Sequence, residues 1–161
     1  LRGVVLELVS AGQVPAFVFT HRREHAERLA DAELPALGVP TGLMLGGDGA
    51  TRFAEALDML ERGTAKVAVG TFNALGRGID LPMVRAGVIA TPIGQNRQFF
   101  NQVRGRICRP TPGKTEAYLY YLWDRDVFPR APGNLLEWCG GAVEVHDGRE
   151  WRRCDRRGDP A

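Results

Sequence analysis

The sequence predicts a doubly wound α/β domain built on a mostly parallel sheet, followed by a short C-terminal extension. Two observations carry that expectation. Residues 14–19, 66–70 and 86–90 are apolar runs too short for helices and apolar toward both faces, as buried parallel strands are. Between them lie stretches whose apolar residues recur at helical spacing, so strand and helix alternate along the chain. A length of 161 residues with 44% hydrophobic content suits one such domain, burying roughly 70% of its unfolded surface.

In order, Val4, Val5 and Leu8 mark a leading helix over residues 2–10, and residues 14–19 form the first strand. Residues 20–23 make a strand-to-helix junction, with Ala26, Leu29 and Ala30 on the helix that follows and Pro35 and Gly38 ending it. Residues 41–45 read as a second strand, closed by the polar glycine loop 46–49. Thr51 is placed to cap a helix through Leu60 that faces Phe53, Ala56, Leu57 and Leu60 inward and stops at Gly63. Residues 66–70 and 86–90 are the third and fourth strands. Residues 95–108 form a helix stopped by Pro110, and residues 115–122 a last strand alternating Ala117, Leu119 and Tyr121. Residues 1–124 thus make one domain. The remainder, 125–161, is broken by Pro129, Pro132 and Gly133 and reads as a short helix and a β-hairpin turning at Asp147-Gly148.

Composition excludes several classes. No apolar run approaches the ~18 residues that span a bilayer, and no secretory pattern is present, so a membrane role is not expected and a cytoplasmic, at most nucleoid-associated, location is. A net charge of +2 is too mild to argue for nucleic acid by itself. Cys108, Cys139 and Cys154 make no disulfide framework, and Cys139, His146 and Cys154 match no zinc spacing, so no metal site is expected. Gly113-Lys114-Thr115 resembles the end of a P-loop, but its first glycine would fall at Cys108 and a strand follows instead of preceding it, so it reads as a turn.

The chemistry-bearing stretch is Gln102-Val-Arg-Gly-Arg-Ile-Cys-Arg109. On a helix, Gln102, Arg106 and Arg109 recur at i, i+4 and i+7 and share one face, beside an apolar stripe of Phe100, Val103 and Ile107. Guanidiniums suit phosphate oxygens because their planar donors are always charged. Gly105 leaves that face without a side chain, open to close approach. A solvated helix face would carry the same pattern, so the company the stretch keeps decides.

Gln102-x-x-Gly105-Arg106-x-x-Arg109 resembles motif VI of superfamily 2 helicases in its glutamine form. Thr71-Phe-Asn-Ala-Leu-Gly-Arg-Gly78-Ile-Asp80-Leu-Pro82 is similar to motif V of the same proteins, Pro15-Ala-Phe-Val-Phe-Thr20-His21-Arg22-Arg23 to motif IV, and Leu45-Gly-Gly47-Asp48 to the short glycine motif between them. These stand in the family's order over roughly residues 13–123. The resemblance is to the C-terminal RecA-like domain of such a helicase, without its N-terminal partner domain; the start at Leu1 rather than Met fits a piece of a longer protein.

The resemblance implies the C-terminal half of an ATP-driven helicase or translocase. Arg106 and Arg109 would act as arginine fingers with Gln102 beside them, Gly78, Asp80 and Gly105 would lie against the nucleotide, and Thr20, His21, Arg22, Gly47 and Thr71 would hold a nucleic-acid backbone. ATP and Mg²⁺ would be held mainly by the N-terminal RecA-like domain, so this chain alone should be inactive. The implied nucleic-acid partner is single-stranded or branched, and glutamine at the head of motif VI, where DEAD-box RNA helicases carry histidine, favours DNA over RNA. The alternative is a non-catalytic nucleic-acid or protein binding module derived from such a domain. Intact Gln102, Arg106 and Arg109 favour the motor, since a binding module needs no fingers for a γ-phosphate.

Overall fold

A computed structural model describes residues 1–47, 50–76, 81–93, 96–124, 126–127, 138–139, 143–146 and 151–154, with backbone alone at 50, 143, 145–146 and 151–154. Helix α1 (Arg2–Ser10) leads into β1 (Ala16–Thr20), then α2 (Arg23–Arg28), which runs on through a wider turn at Leu29–Glu33 and a 3₁₀ turn at Pro35–Leu37. There follow β2 (Thr41–Met44), α3 (Ala50–Glu61), β3 (Val67–Thr71), α4 (Phe72–Gly76), β4 (Ala86–Ile89), α5 (Arg97–Ile107) and β5 (Tyr118–Tyr121). All five strands are parallel, in the order β2-β3-β1-β4-β5. The expected doubly wound α/β architecture is the one observed.

Strand alternation divides the core in two. Phe17, Phe19, Ala68 and Ile89 point to the face covered by α3, α4 and α5, where they meet Ala56, Leu60, Phe72, Leu75, Phe100, Val103 and Ile107. Ala16, Val18, Val67, Val69 and Val88 point to the face covered by α1 and α2, where Val5, Leu8, Ala26 and Leu29 wait. Both faces are buried, which explains the continuous apolar runs of the central strands. Edge strand β5 is only half-buried and alternates as predicted, with Ala117, Leu119 and Tyr121 on the first face and Tyr118 and Tyr120 on the second.

Several local expectations change. Thr51 lies inside α3, which already includes Ala50, so it is not that helix's cap. Helix α5 begins two residues later than expected, at Arg97, because Asn96 accepts the Phe99 N–H with its side-chain oxygen at 3.1 Å and so sets the start. A hairpin does form in the extension, from β6 (Val143–His146) and β7 (Trp151–Cys154). Its register pairs His146 with Trp151, whereas a two-residue turn at Asp147-Gly148 would pair His146 with Arg149; the turn itself lies outside the described residues. Trp138 ties the extension to the domain by packing on Phe100, ring centroids 5.9 Å apart.

One close approach shapes the site. A Cβ at Gly70 would stand 2.3 Å from the Met44 carbonyl oxygen and 2.9 Å from Leu75 Cγ, so only glycine lets α4 fold back onto β3 straight after Thr71.

Candidate functional site

Ligands of open parallel sheets bind outside the carboxyl ends of the strands, where the order reverses. Here β3 and β4 flank β1 on opposite sides, and the loops after these strands carry most of the expected contact residues. His21 sits at the exposed mouth. Its N–H donates to Thr91 Oγ1 at 3.0 Å, its Nε2 lies 3.1 Å from the Pro92 carbonyl, and its ring lies 4.7 Å from that of Phe72. Those contacts lock the β1 and β4 loops together. Arg22 is exposed at the start of α2.

Thr20 requires a correction. It is the buried polar residue among the described residues, 0% exposed, with its hydroxyl 3.1 Å from the Arg22 carbonyl and 3.4 Å from that of Gly70. Its hydroxyl is directed at backbone carbonyls inside the junction and not at the surface where the sequence placed it.

Beside this mouth lies an open cleft of about 420 Å³, lined by Arg23, Leu45, Gly46, Thr71, Asn73 and Ala74. It joins the loops after β1, β2 and β3. Thr71 Oγ1 accepts the Ala74 N–H at 3.3 Å, leaving its own proton to donate. Gly47 is exposed next to the cleft with φ 68°, and Asp48 lies outside the described residues. Arg23, held by Glu27 at 3.0 Å, and exposed Asn73 were missed as individual contacts. Both sit within the quoted motifs, so position relative to Thr20 and Thr71 was the available signal.

The second cluster forms where α5 meets α4. Arg106 Nη2 donates to the Gly76 carbonyl at 2.8 Å. The Gln102 amide rests on the same residue, since a Cβ at Gly76 would meet Gln102 Oε1 at 3.0 Å. Gly105 is exposed, and among the described residues a Cβ there would meet nothing within 4 Å beyond its chain neighbours and its own helix backbone, so packing does not require glycine at that point.

Arg109 is not on the helical face expected for it. Helix α5 ends at Ile107, and Cys108 already has φ −91° and ψ 7°. The residue before a proline is pushed out of the helical region, so Pro110 ends the helix ahead of Arg109. Gly78 and Asp80 lie outside the described residues.

The two clusters share one element. Helix α4 starts directly after Thr71 in the cleft and ends at Gly76, under Gln102 and Arg106. Its length is about 7 Å at the usual rise per residue. The Phe72 ring on this helix stacks with those of Phe19 and Phe99, centroids 5.6 and 5.3 Å apart. Toward a nucleotide the described residues offer guanidinium and amide donors, and none of their His, Cys, Asp and Glu side chains group to hold a metal ion.

The parallel sheet with helices on both faces defines the class, a doubly wound α/β domain. No protein-family model and no curated protein sequence matches the chain. Solved structures do. Prp28 from Chaetomium thermophilum, an RNA helicase bound to ADP, superimposes with a TM-score of 0.65 at 24% identity, over 87% of this chain and 34% of its own. The C-terminal domain of the DEAD-box protein Dbp5 gives 0.65 at 20%, over 86% of this chain and 76% of that domain. Dbp5 of S. cerevisiae bound to RNA and ADP BeF3 gives 0.69 at 21%, over 86% and 36%. The chain therefore has the fold of the C-terminal domain of the DEAD-box protein Dbp5. It spans about a third of the longer chains it matches.

Proposed function

We propose that this chain is the C-terminal motor half of an ATP-dependent helicase or translocase. It closes on a nucleotide held by an N-terminal RecA-like domain and grips a nucleic-acid single strand at its own sheet edge. The single observation that supports this most is α4, which joins the Thr71 cleft at one end to Gln102 and Arg106 at the other. A short rigid element shared by a strand-binding surface and a phosphate-directed cluster is what coupling hydrolysis to movement requires.

In this reading Thr71, Arg22, His21 and Gly47 line the path of the sugar-phosphate backbone. Such contacts hold a strand without reading its bases. Arg106 and Arg109 stabilise charge that develops on the transferring phosphoryl group, and Gln102 relays the state of that site to α4. Gly78, Asp80 and Gly105 would lie against the nucleotide. ATP with Mg²⁺ supplies the transferable phosphoryl group when bound.

Glutamine at position 102 was the ground for favouring DNA. The neighbours include an RNA helicase and a protein solved with RNA, so they lend that preference no support. The proposal is therefore for single-stranded nucleic acid, with competition between matched DNA and RNA oligonucleotides to rank them.

The test is ATP hydrolysis by a protein carrying both motor domains. Arg106→Ala and Arg109→Ala should each lower kcat by on the order of 10³–10⁵ while melting and ATP binding persist. Arg106→Lys should not rescue, since a point charge lacks the planar fork. The 161-residue chain alone should turn over no ATP. Near-normal turnover by Arg106→Lys, or by both alanine variants, would leave the arginines as surface residues.

A further inference from the structure

Because Arg109 lies beyond the end of α5, helical geometry does not set its position. What holds its backbone comes from further along the chain. Lys114 Nζ donates to the Arg109 carbonyl at 3.1 Å and, also at 3.1 Å, to the carbonyl of Pro82. Pro82 closes the segment that begins at Thr71 and includes Gly78 and Asp80. One ammonium therefore ties the backbone of an expected finger to the end of the loop expected at the nucleotide.

The turn that carries Lys114 is built for this reach. Thr111 and Lys114 pair across it, the Lys114 N–H donates to the Thr111 carbonyl at 3.0 Å, and Gly113 takes φ 78°, a conformation that side chains resist. Arg85 Nη2 lies 3.4 Å from the Gly113 carbonyl and anchors the turn to the start of β4. Lys114 is partly buried, and burial pushes its pKa below the usual lysine value. A surface lysine left in water would have no reason to accept that cost without carbonyl partners.

We infer that Lys114 is a positioning residue for Arg109, holding the finger and the Pro82 end of the motif V loop in one fixed relation. The inference rests on the proposed function, since it needs Arg109 to act on a nucleotide. Lys114 touches no substrate in this role; it acts through the backbone of Arg109. Its three donors can serve two carbonyls and still leave one for water.

The experiment uses the protein with both motor domains and compares Lys114→Met, Lys114→Arg, Arg109→Ala and the Lys114→Met/Arg109→Ala pair. Displacing a catalytic group by about 1 Å costs up to about 10²-fold, so Lys114→Met should lower kcat by that order, with the KM for ATP and the melting temperature little changed. Lys114→Arg retains a cation with donors for both carbonyls and should recover most of the loss. In the Arg109→Ala background Lys114→Met should cost nothing further, because the group it positions is gone. Wild-type kcat in Lys114→Met, an equal loss in both backgrounds, or a loss traced entirely to unfolding would each overturn the inference. Full activity of Arg109→Ala would instead overturn the reading beneath it.

Discussion

The Arg106 guanidinium donates to the Gly76 carbonyl at 2.8 Å, joining residues thirty apart in sequence at the seam between α5 and α4. Gln102 presses on the same glycine, where a Cβ would stand 3.0 Å from its Oε1. Gly76→Ala should therefore push the Gln102 amide aside without unfolding the domain, because the end of a long side chain can yield. We expect nucleic-acid-stimulated ATP hydrolysis to fall by up to about 10²-fold while basal ATP binding is kept. Unchanged stimulation in the alanine variant would remove Gln102 from the coupling route.

Nucleic-acid affinity should fall steeply with salt, since each phosphate neutralised releases counterions. Arg22→Ala should flatten that salt slope by about one unit, and Thr71→Ala should weaken binding with little change in slope, because only the arginine carries charge. Fluorescence anisotropy with a labelled single strand across a salt series gives both quantities. Salt-independent binding, or affinities untouched by the pair, would move the strand away from the cleft.

Gly70→Ala should be among the more damaging small substitutions in the chain. Its Cβ would lie 2.3 Å from the Met44 carbonyl oxygen, a backbone atom of the neighbouring strand that cannot rotate away. Overpacking of this kind costs about 1–3 kcal/mol or more, and urea unfolding should show a lower midpoint at unchanged slope. Gly105→Ala, whose Cβ meets open space inside α5, should instead raise the midpoint slightly, because alanine is favoured over glycine in a helix by roughly 0.5–1 kcal/mol.

His25 carries a pH dependence of definite sign. Burial, reinforced by the Arg28 guanidinium and opposed by Glu33, lowers its pKa below the ordinary histidine value. The unfolded chain then takes up the proton first as pH falls. The stability associated with the neutral ring is present above about pH 6.5 and is lost below it. Thermal melts between pH 8 and pH 5 should show a smaller acid-side drop for His25→Gln than for the wild type. An equal drop would assign the dependence to other groups.

Much of the fold was legible in the sequence because it rests on short-range rules. Residues such as Phe17 and Val18 sit in runs apolar toward both faces, which is how a strand covered on both sides is written. The faces of α3 and α5 followed from helical spacing, and Ala56, Leu60, Phe100, Val103 and Ile107 are buried where that spacing put them. The end of α5 before Arg109 was also local, since Pro110 disfavours helix at the residue ahead of it, but the spacing of the arginines outweighed that signal.

What the chain alone could not decide is which loops meet. The order β2-β3-β1-β4-β5 puts the Thr71 loop between those of Thr20 and Leu45, and no local propensity encodes that order. Thr20 is polar and follows a strand, a description that fits a ligand contact and a buried junction equally well. Only the Gly70 and Arg22 carbonyls around its hydroxyl select the second. The same holds for Gln102 and Arg106 on Gly76 and for Lys114 between Pro82 and Arg109. Period and propensity act over a few residues, whereas these contacts follow from parallel pairing and crossovers that close loops tens of residues long.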